Sequence, residues 1–310
     1  MRIAVTGASG FVGRNFLKSA TAVDQVVAFY HSDTSFVEFV QSLGRSNVTC
    51  CKCDLADTQA LKAALKEIGD GFDCCLYLAA QGDPAASAVN PLDDLQRNAV
   101  ALVNFLSQAL VDRVVFMSSG AVYDGLEGAV GPEVAVAPTL PYAISKLASE
   151  HYVRFFAKRN PQRSYVILRF FGAYGPYELS RKVYRRLVQR FHIEKDDHFE
   201  VRGDGRNLID AMYVGDTVDA LHKVICSKVS NVTVDFCSGT PRTIDALIRE
   251  AAATFGISEP AIAKSGSVPE CINFWASPDS MQRLFGGSPQ TSLGDGLRHL
   301  ANYLDNTTIS

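Results

Sequence analysis

Three residues in the middle of the chain have the types and spacing for proton chemistry. Tyr142 and Lys146, in Tyr142-Ala143-Ile144-Ser145-Lys146, stand four apart, so a helix brings both onto one face. A lysine ammonium beside a phenol stabilises the tyrosinate and is expected to draw its pKa below the ordinary value of about 10. That pair suits a general acid/base for a hydroxyl within hydrogen-bond reach. Ser119, closing the apolar run Val114-Val115-Phe116-Met117 after Ser118, is expected to give the same oxygen a second hydrogen bond. The plain alternative is coincidence, since Tyr-x-x-x-Lys also occurs on ordinary helices. The N-terminal end of the chain weighs against coincidence.

There, residues 2–6 (Arg-Ile-Ala-Val-Thr) read as a strand that runs straight into Gly7-Ala8-Ser9-Gly10-Phe11-Val12-Gly13. The helix that follows keeps Val12 and Phe16 on one face. Strand, glycine loop and helix make the first half of a mononucleotide-binding fold. The glycines let the backbone approach a pyrophosphate, which then sits on the helix N-terminus. NAD or NADP is the expected ligand. The second strand, Val26–Tyr30, ends in His31-Ser32-Asp33, where an NAD site usually places a carboxylate on the ribose 2′-hydroxyl. Asp33 turned inward would serve NAD. Turned outward, it leaves His31 and Ser32 as space and donors for the 2′-phosphate of NADP. The third strand, Val48–Cys53, leads to Asp54-Leu55, which fits either contact with the adenine amino group or, with Asp57, capping of the helix that carries Leu61, Leu65 and Ile68. The fourth, Cys74–Leu78, ends in Ala79-Ala80-Gln81-Gly82, small enough for a ligand to come close.

A helix is expected from Asp93 to Leu110, with Leu95, Ala99, Leu102, Leu106 and Leu110 on its apolar stripe. Asn98, at the edge of that stripe, is either a surface residue or a buried group steering the lysine through water. The strand Ser164–Phe171 stops at Gly172-Ala173-Tyr174-Gly175-Pro176. Residues 178–206 then turn basic, with Arg181, Lys182, Arg185, Arg186, Arg190, Arg202 and Arg206. They form a solvated face or a surface for anionic phosphates, for which Arg202 and Arg206 are the candidates. A first domain is expected over 1–172 with 208–235 returning to it, and a second over 173–207 and 236–310.

Composition narrows the class. The 310 residues are 47% hydrophobic and 20% charged with a net charge of -3, as in a soluble globular protein without a basic footprint for nucleic acid or a polybasic membrane patch. No apolar run approaches the length of a membrane span, and a strand starting at Arg2 leaves no room for a signal peptide. Of eight cysteines, Cys50, Cys51, Cys53, Cys74 and Cys75 fall on strands, as small buried hydrophobes of a reducing cytoplasm do. Cys50-Cys51-x-Cys53 lacks the second spaced pair of a metal site. Cys226, Cys237 and Cys271 complete the set.

These features together resemble the extended short-chain dehydrogenase/reductase family, the NAD(P)-dependent epimerases and dehydratases of nucleotide sugars. The likeness rests on Gly7-x-x-Gly10-x-x-Gly13, Asp54-Leu55, Leu78-Ala79-Ala80, Asn98, Ser118-Ser119-x-x-Val122-Tyr123 and Tyr142-x-x-x-Lys146. It continues through Leu168-Arg169-Phe170-Phe171, Tyr174-Gly175-Pro176, Gly203-Asp204-Gly205 and Asp210-x-x-Tyr213-Val214-x-Asp216. It implies an α/β fold, a Rossmann-type doubly wound parallel sheet with a smaller interleaved C-terminal substrate lobe. It also implies Tyr142 as acid/base, Lys146 on the nicotinamide ribose, Ser119 on the reacting hydroxyl and Asn98 completing the set. The cofactor would lie along Gly7, Ser9, Gly10, Phe11, Val12, Gly13, His31, Asp33, Asp54, Leu55, Ala79, Ala80, Tyr142, Lys146 and Phe170. Substrate would meet Gln81, Ser119, Gly120, Tyr142, Phe171, Gly172, Arg202 and Arg206. No metal is implied. A homodimer through helices 93–110 and 142–158 is expected, with Leu95, Leu102, Leu106, Leu147, Val153 and Phe156 supplying apolar surface.

Three departures refine the reading. Dehydratases of this family carry an acid pair after the active-site serine or threonine; here Gly120 and Ala121 stand there, which argues against a 4,6-dehydratase. Gly172 stands where the family often has asparagine. Ile209 precedes Asp210 where many members place an arginine on the substrate phosphates, so Arg202 or Arg206 must substitute. The leading expectation is a nucleotide-sugar C4 epimerase working through a 4-keto intermediate. Its alternative is an NADPH-dependent reductase of a nucleotide 4-keto sugar. A third, of another class, is a catalytically silent dinucleotide-binding sensor.

Overall fold

The computed structural model describes residues 1–20, 24–267, 272–286 and 289–308, so Cys271 lies outside the described residues. Arg2–Thr6 (β1), Gln25–Tyr30 (β2), Val48–Lys52 (β3), Gly71–Tyr77 (β4) and Leu110–Ser119 (β5) join Ser164–Phe170 and Val232–Phe236 in one seven-stranded sheet. The order is Val232–Phe236, Ser164–Phe170, β5, β4, β1, β2, β3, and the pairings from Ser164–Phe170 to β3 are parallel. The chain builds outward from β1 to β3, then reverses and builds outward the other way from β4. That reversal opens a crevice at the carboxyl ends of β1 and β4, where α/β sheets bind ligands. The strands are near-continuous apolar runs because both faces are covered.

The first compact unit comprises Met1–Gly125, Pro132–Phe170 and Leu221–Asp235. Its core packs Leu61 and Leu65 of the helix Thr58–Ile68, and Leu102, Phe105 and Leu106 of the helix Ala101–Gln108, with Phe72, Phe116 and Ile167 of the sheet. Each such side chain contributes on the order of 1.5–3 kcal/mol by leaving water. Cys51, Cys53, Cys74 and Cys75 are buried and unbridged, and burial pushes the Cys51 and Cys53 thiols up to about 11. They are inert filling.

The helix expected from Asp93 to Leu110 is broken. Pro91–Leu95 is α-helical, Gln96–Val100 forms a π-turn and Ala101–Gln108 resumes the α-helix, while Leu110 already opens β5. The wider turn shifts the apolar stripe. Leu95 is left 44% exposed, whereas Asp94 and Asn98 are 1% and 2% exposed. π-turns cluster at functional sites, and this one places two polar residues inside.

The second unit comprises Leu126–Gly131, Phe171–Ala220 and Phe236–Ser310. Stacked Tyr174 and Tyr184 rings, 4.3 Å apart, centre a core with Leu187, Phe191, Phe199, Leu247 and Leu300. Its strands are short: His198–Arg202 pairs with Ala261–Ser265, and Glu127–Val130 with Asn273–Ala276. Residues 208–213, expected to rejoin the first domain, pair inside the second unit, Leu208–Ile209 with Arg242–Thr243 and Met212–Tyr213 with Ala173–Tyr174.

Candidate active site

The helix Pro141–Arg159 starts with proline in its first turn, where the ring's fixed φ is favourable and no backbone donor is lost. It carries Tyr142 and Lys146 toward the end of β5. Ser119, the last residue of β5, caps the short turn Gly120–Tyr123 by accepting from the Ala121 N–H at 3.1 Å. It is near enough to Tyr142 for its hydroxyl to favour the phenolate. The Lys146 Nζ donates to the Met117 carbonyl at 2.5 Å and lies 4.5 Å from the Phe116 ring centroid.

Protonation corrects one expectation. Tyr142 is not drawn below 10 in the protein alone but raised, first by desolvation and further by the charge of Asp94, with the Ser119 hydrogen bond offsetting only part. Lys146 spends its ammonium on a backbone carbonyl. It is buried, and desolvation pushes it down to about 8 against the opposing pull of Glu150 and Asp94.

Around this pair lies a polar network inside the first unit. Asn98 is buried, as one of its two expected readings required. Its Oδ1 accepts from the Gln81 N–H at 2.7 Å, and its Nδ2 donates to Asp94 at 2.8 Å and to Ser145 at 3.1 Å. It thereby clamps the segment after β4 to the tyrosine helix. The Asp94 Oδ2 is buried and has no hydrogen-bond partner among the described residues. One turn beyond Lys146, Glu150 accepts from Ser118 at 2.7 Å and from Arg154 at 3.0 Å, and pairs through both oxygens with Arg169 at 3.0 Å each. Arg169 reaches the Tyr123 hydroxyl at 3.1 Å, which donates to Asp235 at 2.7 Å.

A cavity of about 190 Å3 in the same unit is lined by Gly7, Ser9, Tyr30, His31, Ser32, Asp54, Leu55, Ala79, Ala80 and Arg97, with Phe29, Cys53 and Ala101 beneath. The Thr6 hydroxyl accepts from the N–H groups of Leu78 and Ala79, both at 3.1 Å, and ties the glycine loop to the end of β4. Gly7 has φ +64°, and a Cβ there would sit 2.8 Å from the Ala79 Cα, so no other residue fits. The helix Phe11–Ser19 starts at Gly10 without a side-chain cap, and Gly10, Phe11, Val12 and Gly13 form its first turn without lining the cavity. A cradle of backbone donors, small residues and an apolar floor suits a dinucleotide.

Not every candidate is at this cavity. Asp33 turns away: its Oδ2 accepts from Arg14 at 2.6 Å and its Oδ1 from the Ser35 N–H and hydroxyl. Burial alone would raise its pKa, but the Arg14 and Ser35 hydrogen bonds hold it below the ordinary carboxylate value. Asp54 lines the cavity, while the cap of the next helix is Asp57, which accepts from Gln59 and Ala60. Phe170 pairs with Ser119 across the sheet, and Gly120 is buried in the turn that Ser119 caps. The Gln81 side chain accepts from the Asp83 N–H.

In the second unit Phe171 meets Phe274 edge-on and Gly172 adopts φ +143°. Arg202 lines a cavity of about 290 Å3 with Arg186, Phe199, Asn207, Leu208 and Ile209. Arg206 does not line it; it is 84% exposed and 3.8 Å from Asp204. Sequence reading passed over Asp94, Arg97 and Glu150. Glu150 continues the four-residue spacing of Tyr142 and Lys146, a signal that was there to find.

The sequence model of the NAD dependent epimerase/dehydratase family matches residues 3–234. The chain is 24% identical over 317 aligned positions to the uncharacterized UDP-glucose epimerase YtcB of Bacillus subtilis, covering 98% of each chain. It is 24% identical to the dTDP-glucose 4,6-dehydratase of Streptomyces niveus, covering 96% of this chain and 90% of that one. Among solved structures, a tyrosine-to-phenylalanine variant of UDP-glucuronic acid 4-epimerase from Bacillus cereus, in complex with UDP-4-deoxy-4-fluoro-glucuronic acid and NAD, superposes with a TM-score of 0.86. That chain is 25% identical and the match covers 99% of this chain and 100% of it.

Proposed function

The chain belongs to the NAD dependent epimerase/dehydratase family, and we propose that it is a nucleotide-sugar 4-epimerase. The observation that carries this is the placing of Tyr142 near Ser119 and beside buried Lys146, in the same unit as the glycine-loop cavity. Ser119 and Tyr142 hold the sugar 4-hydroxyl between them. Tyr142 takes its proton as the C4–H bond gives up hydride, and returns a proton to the same oxygen when hydride comes back on the opposite face of the 4-keto sugar. A dinucleotide held at the glycine loop and the cavity beside it would supply the hydride acceptor and donor, and the positive charge of its oxidised ring would favour the tyrosinate. Lys146 adds charge beneath the site, held cationic by Glu150 and Asp94. Asn98 fixes the distance between the β4 end and the tyrosine helix.

The names of the relatives support a nucleoside diphosphate sugar as substrate. A dehydratase is disfavoured because Gly120 and Ala121 put no carboxylate beside Ser119. The Asp33–Arg14 pair favours one second reading, an NADPH-dependent reductase of a 4-keto sugar, since it engages the acid that follows β2. Tyr142→Phe separates these chemical readings from a silent binder: turnover of UDP-sugars or their 4-keto forms should fall about 10²–10⁴-fold. Normal turnover in that variant would sink both. Tightly held, recycled dinucleotide released on denaturation supports the epimerase; exchange at every turnover supports the reductase.

A homodimer and a cytoplasmic setting belong to the same proposal. Leu102, Leu106 and Val153, expected to serve the core and a partner, lie in the core, whereas Leu92, Leu95, Val100, Ile144, Tyr152 and Phe155 stay exposed on the same helices. A second copy of the chain would cover them, and a monomer in sedimentation at micromolar concentration would refute it. Unbridged cysteines suit a reducing compartment.

A further inference from the structure

Ser119 ends β5, and Tyr142 is the second residue of the helix Pro141–Arg159. The distance between their hydroxyls is therefore set by whatever joins the end of that strand to the start of that helix. Tyr123 and Asp124, at the far end of the turn Gly120–Tyr123 that Ser119 caps, make this join within the first unit. Tyr123 is fully buried, and its hydroxyl donates to the Asp235 Oδ1 at 2.7 Å and accepts from the Arg169 Nη1 at 3.1 Å. Burial pushes its pKa up, so its proton stays on the bond to Asp235. The turn is thereby tied to the sheet strands that carry Arg169 and Asp235. Asp124 closes the turn, its N–H donating to the Ala121 carbonyl at 2.9 Å. The Asp124 Oδ2 then takes three bonds from the segment entering the tyrosine helix: the Thr139 N–H at 2.8 Å, the Thr139 hydroxyl at 3.0 Å and the Leu140 N–H at 3.2 Å. Leu140 is the N-cap of that helix, and its own side chain makes no capping bond. A negative charge there is favourable at the positive end of the helix dipole.

We propose that Asp124 and Tyr123 are positioning residues that set the separation of Ser119 and Tyr142: Asp124 clasps the start of the tyrosine helix, and Tyr123 pins the turn to the sheet. The proposal rests on the reading that Ser119 and Tyr142 hold the reacting hydroxyl between them. Asp124 and Tyr123 act through Ser119 and not on the substrate. A misplacement of about 1 Å in such a pair can cost on the order of 100-fold in rate.

Asp124→Ala in the full chain is the direct test, since Asp124 is only partly buried and its loss leaves the core intact. With UDP-glucose or UDP-glucuronic acid, kcat should fall about tenfold while KM moves less than about twofold. Asp124→Asn keeps an acceptor oxygen and should recover most of the rate. In a Ser119→Ala background Asp124→Ala should cost less than about twofold more, because no hydroxyl is left to place. Tyr123→Phe should follow the same pattern. Hydrogen exchange gives a readout without turnover: the amides of Ala121, Thr139 and Leu140 should exchange about tenfold faster in Asp124→Ala. Unchanged exchange, an unchanged kcat, or a loss that simply adds to that of Ser119→Ala would overturn the proposal. If the unaltered protein converts neither sugar nucleotide while exchange responds as expected, the epimerase reading alone falls.

Discussion

Glu150 in the first unit and Glu178 in the second are buried to nearly the same depth, 0% and 4% exposed, yet they take opposite charge states. Desolvation presses both toward the neutral form. At Glu150 that pressure is overcome by two hydrogen bonds and the full charge of Arg169, by Ser118 and by Arg154, so the pKa falls below its ordinary value. At Glu178 desolvation wins against the more distant Lys182 and Arg185, and the carboxyl is pushed up to about 8, with its Oε2 buried and unpartnered. Depth alone decides nothing. What decides is whether a guanidinium is held within hydrogen-bond reach, and only the carboxylate next to Lys146 has one. That arrangement has a functional consequence: a fixed negative charge one helical turn from Lys146 keeps the lysine cationic although it is buried.

The comparison breaks most severely if Arg169 is removed. Arg169→Met leaves the buried Glu150 charge with only Arg154 and Ser118 as partners, and removing one partner of a buried pair costs about 3–5 kcal/mol in other proteins, so the Tm should fall by up to about 10 °C. Removing both charges, in Glu150→Met with Arg169→Met, should recover most of that stability, because the cost lies in the stranded charge and not in the lost attraction. Thermal unfolding of the single and double variants measures it. An unchanged Tm in Arg169→Met would mean that Glu150 is already neutral and that the two glutamates do not differ.

Glu178 yields a smaller effect of distinctive sign. Its folded-state pKa of about 8 lies above the ordinary value of 4.5, so the folded protein holds a proton that the unfolded chain releases. Stability is therefore lost as pH rises from about 4.5 through about 8, and is constant below that window. Glu178→Gln keeps the shape and removes the titration. It should raise the Tm by about 5 °C at pH 8 and leave it nearly unchanged at pH 4. A gain of equal size at both pH values would show that Glu178 is not the titrating group.

The same contrast explains what was legible in the sequence. Gly7, Ser9, His31, Asp54, Leu55, Ala79 and Ala80 share one cavity, and they were readable because each sits at the end of an apolar run whose strand is plain from local sequence. Ser119, Tyr142 and Lys146 stand out by spacing. Partners joined across the chain were not readable: Arg14 takes Asp33 from 19 residues away, Glu150 meets Arg169 across 19, and Tyr123 meets Asp235 across 112. Nor was the π-turn, because it breaks the 3.6-residue period from which the 93–110 stripe was read, and so Leu95 was placed inside and Asp94 left unnoticed. The raised pKa of Tyr142 escaped for a related reason. Four-residue spacing places the lysine on the right face but does not say that its ammonium turns to the Met117 carbonyl.

Asp94 offers the finest test of how buried charge governs this site. Its carboxylate raises the pKa of Tyr142 and also that of Lys146, while its own pKa is raised by burial. Asp94→Asn removes the charge but keeps an oxygen that accepts from Asn98, so the clamp on Gln81 and Ser145 stays in place. With the negative charge gone, tyrosinate is easier to form and the ammonium easier to lose. Both limbs of the kcat/KM profile against pH should therefore move toward acid together, while Asp94→Glu should leave them where they are. A purely structural residue would change the height of the profile and not its position. A profile lowered without displacement in Asp94→Asn would assign Asp94 to packing alone, and the electrostatic control of Tyr142 and Lys146 would then rest on Glu150.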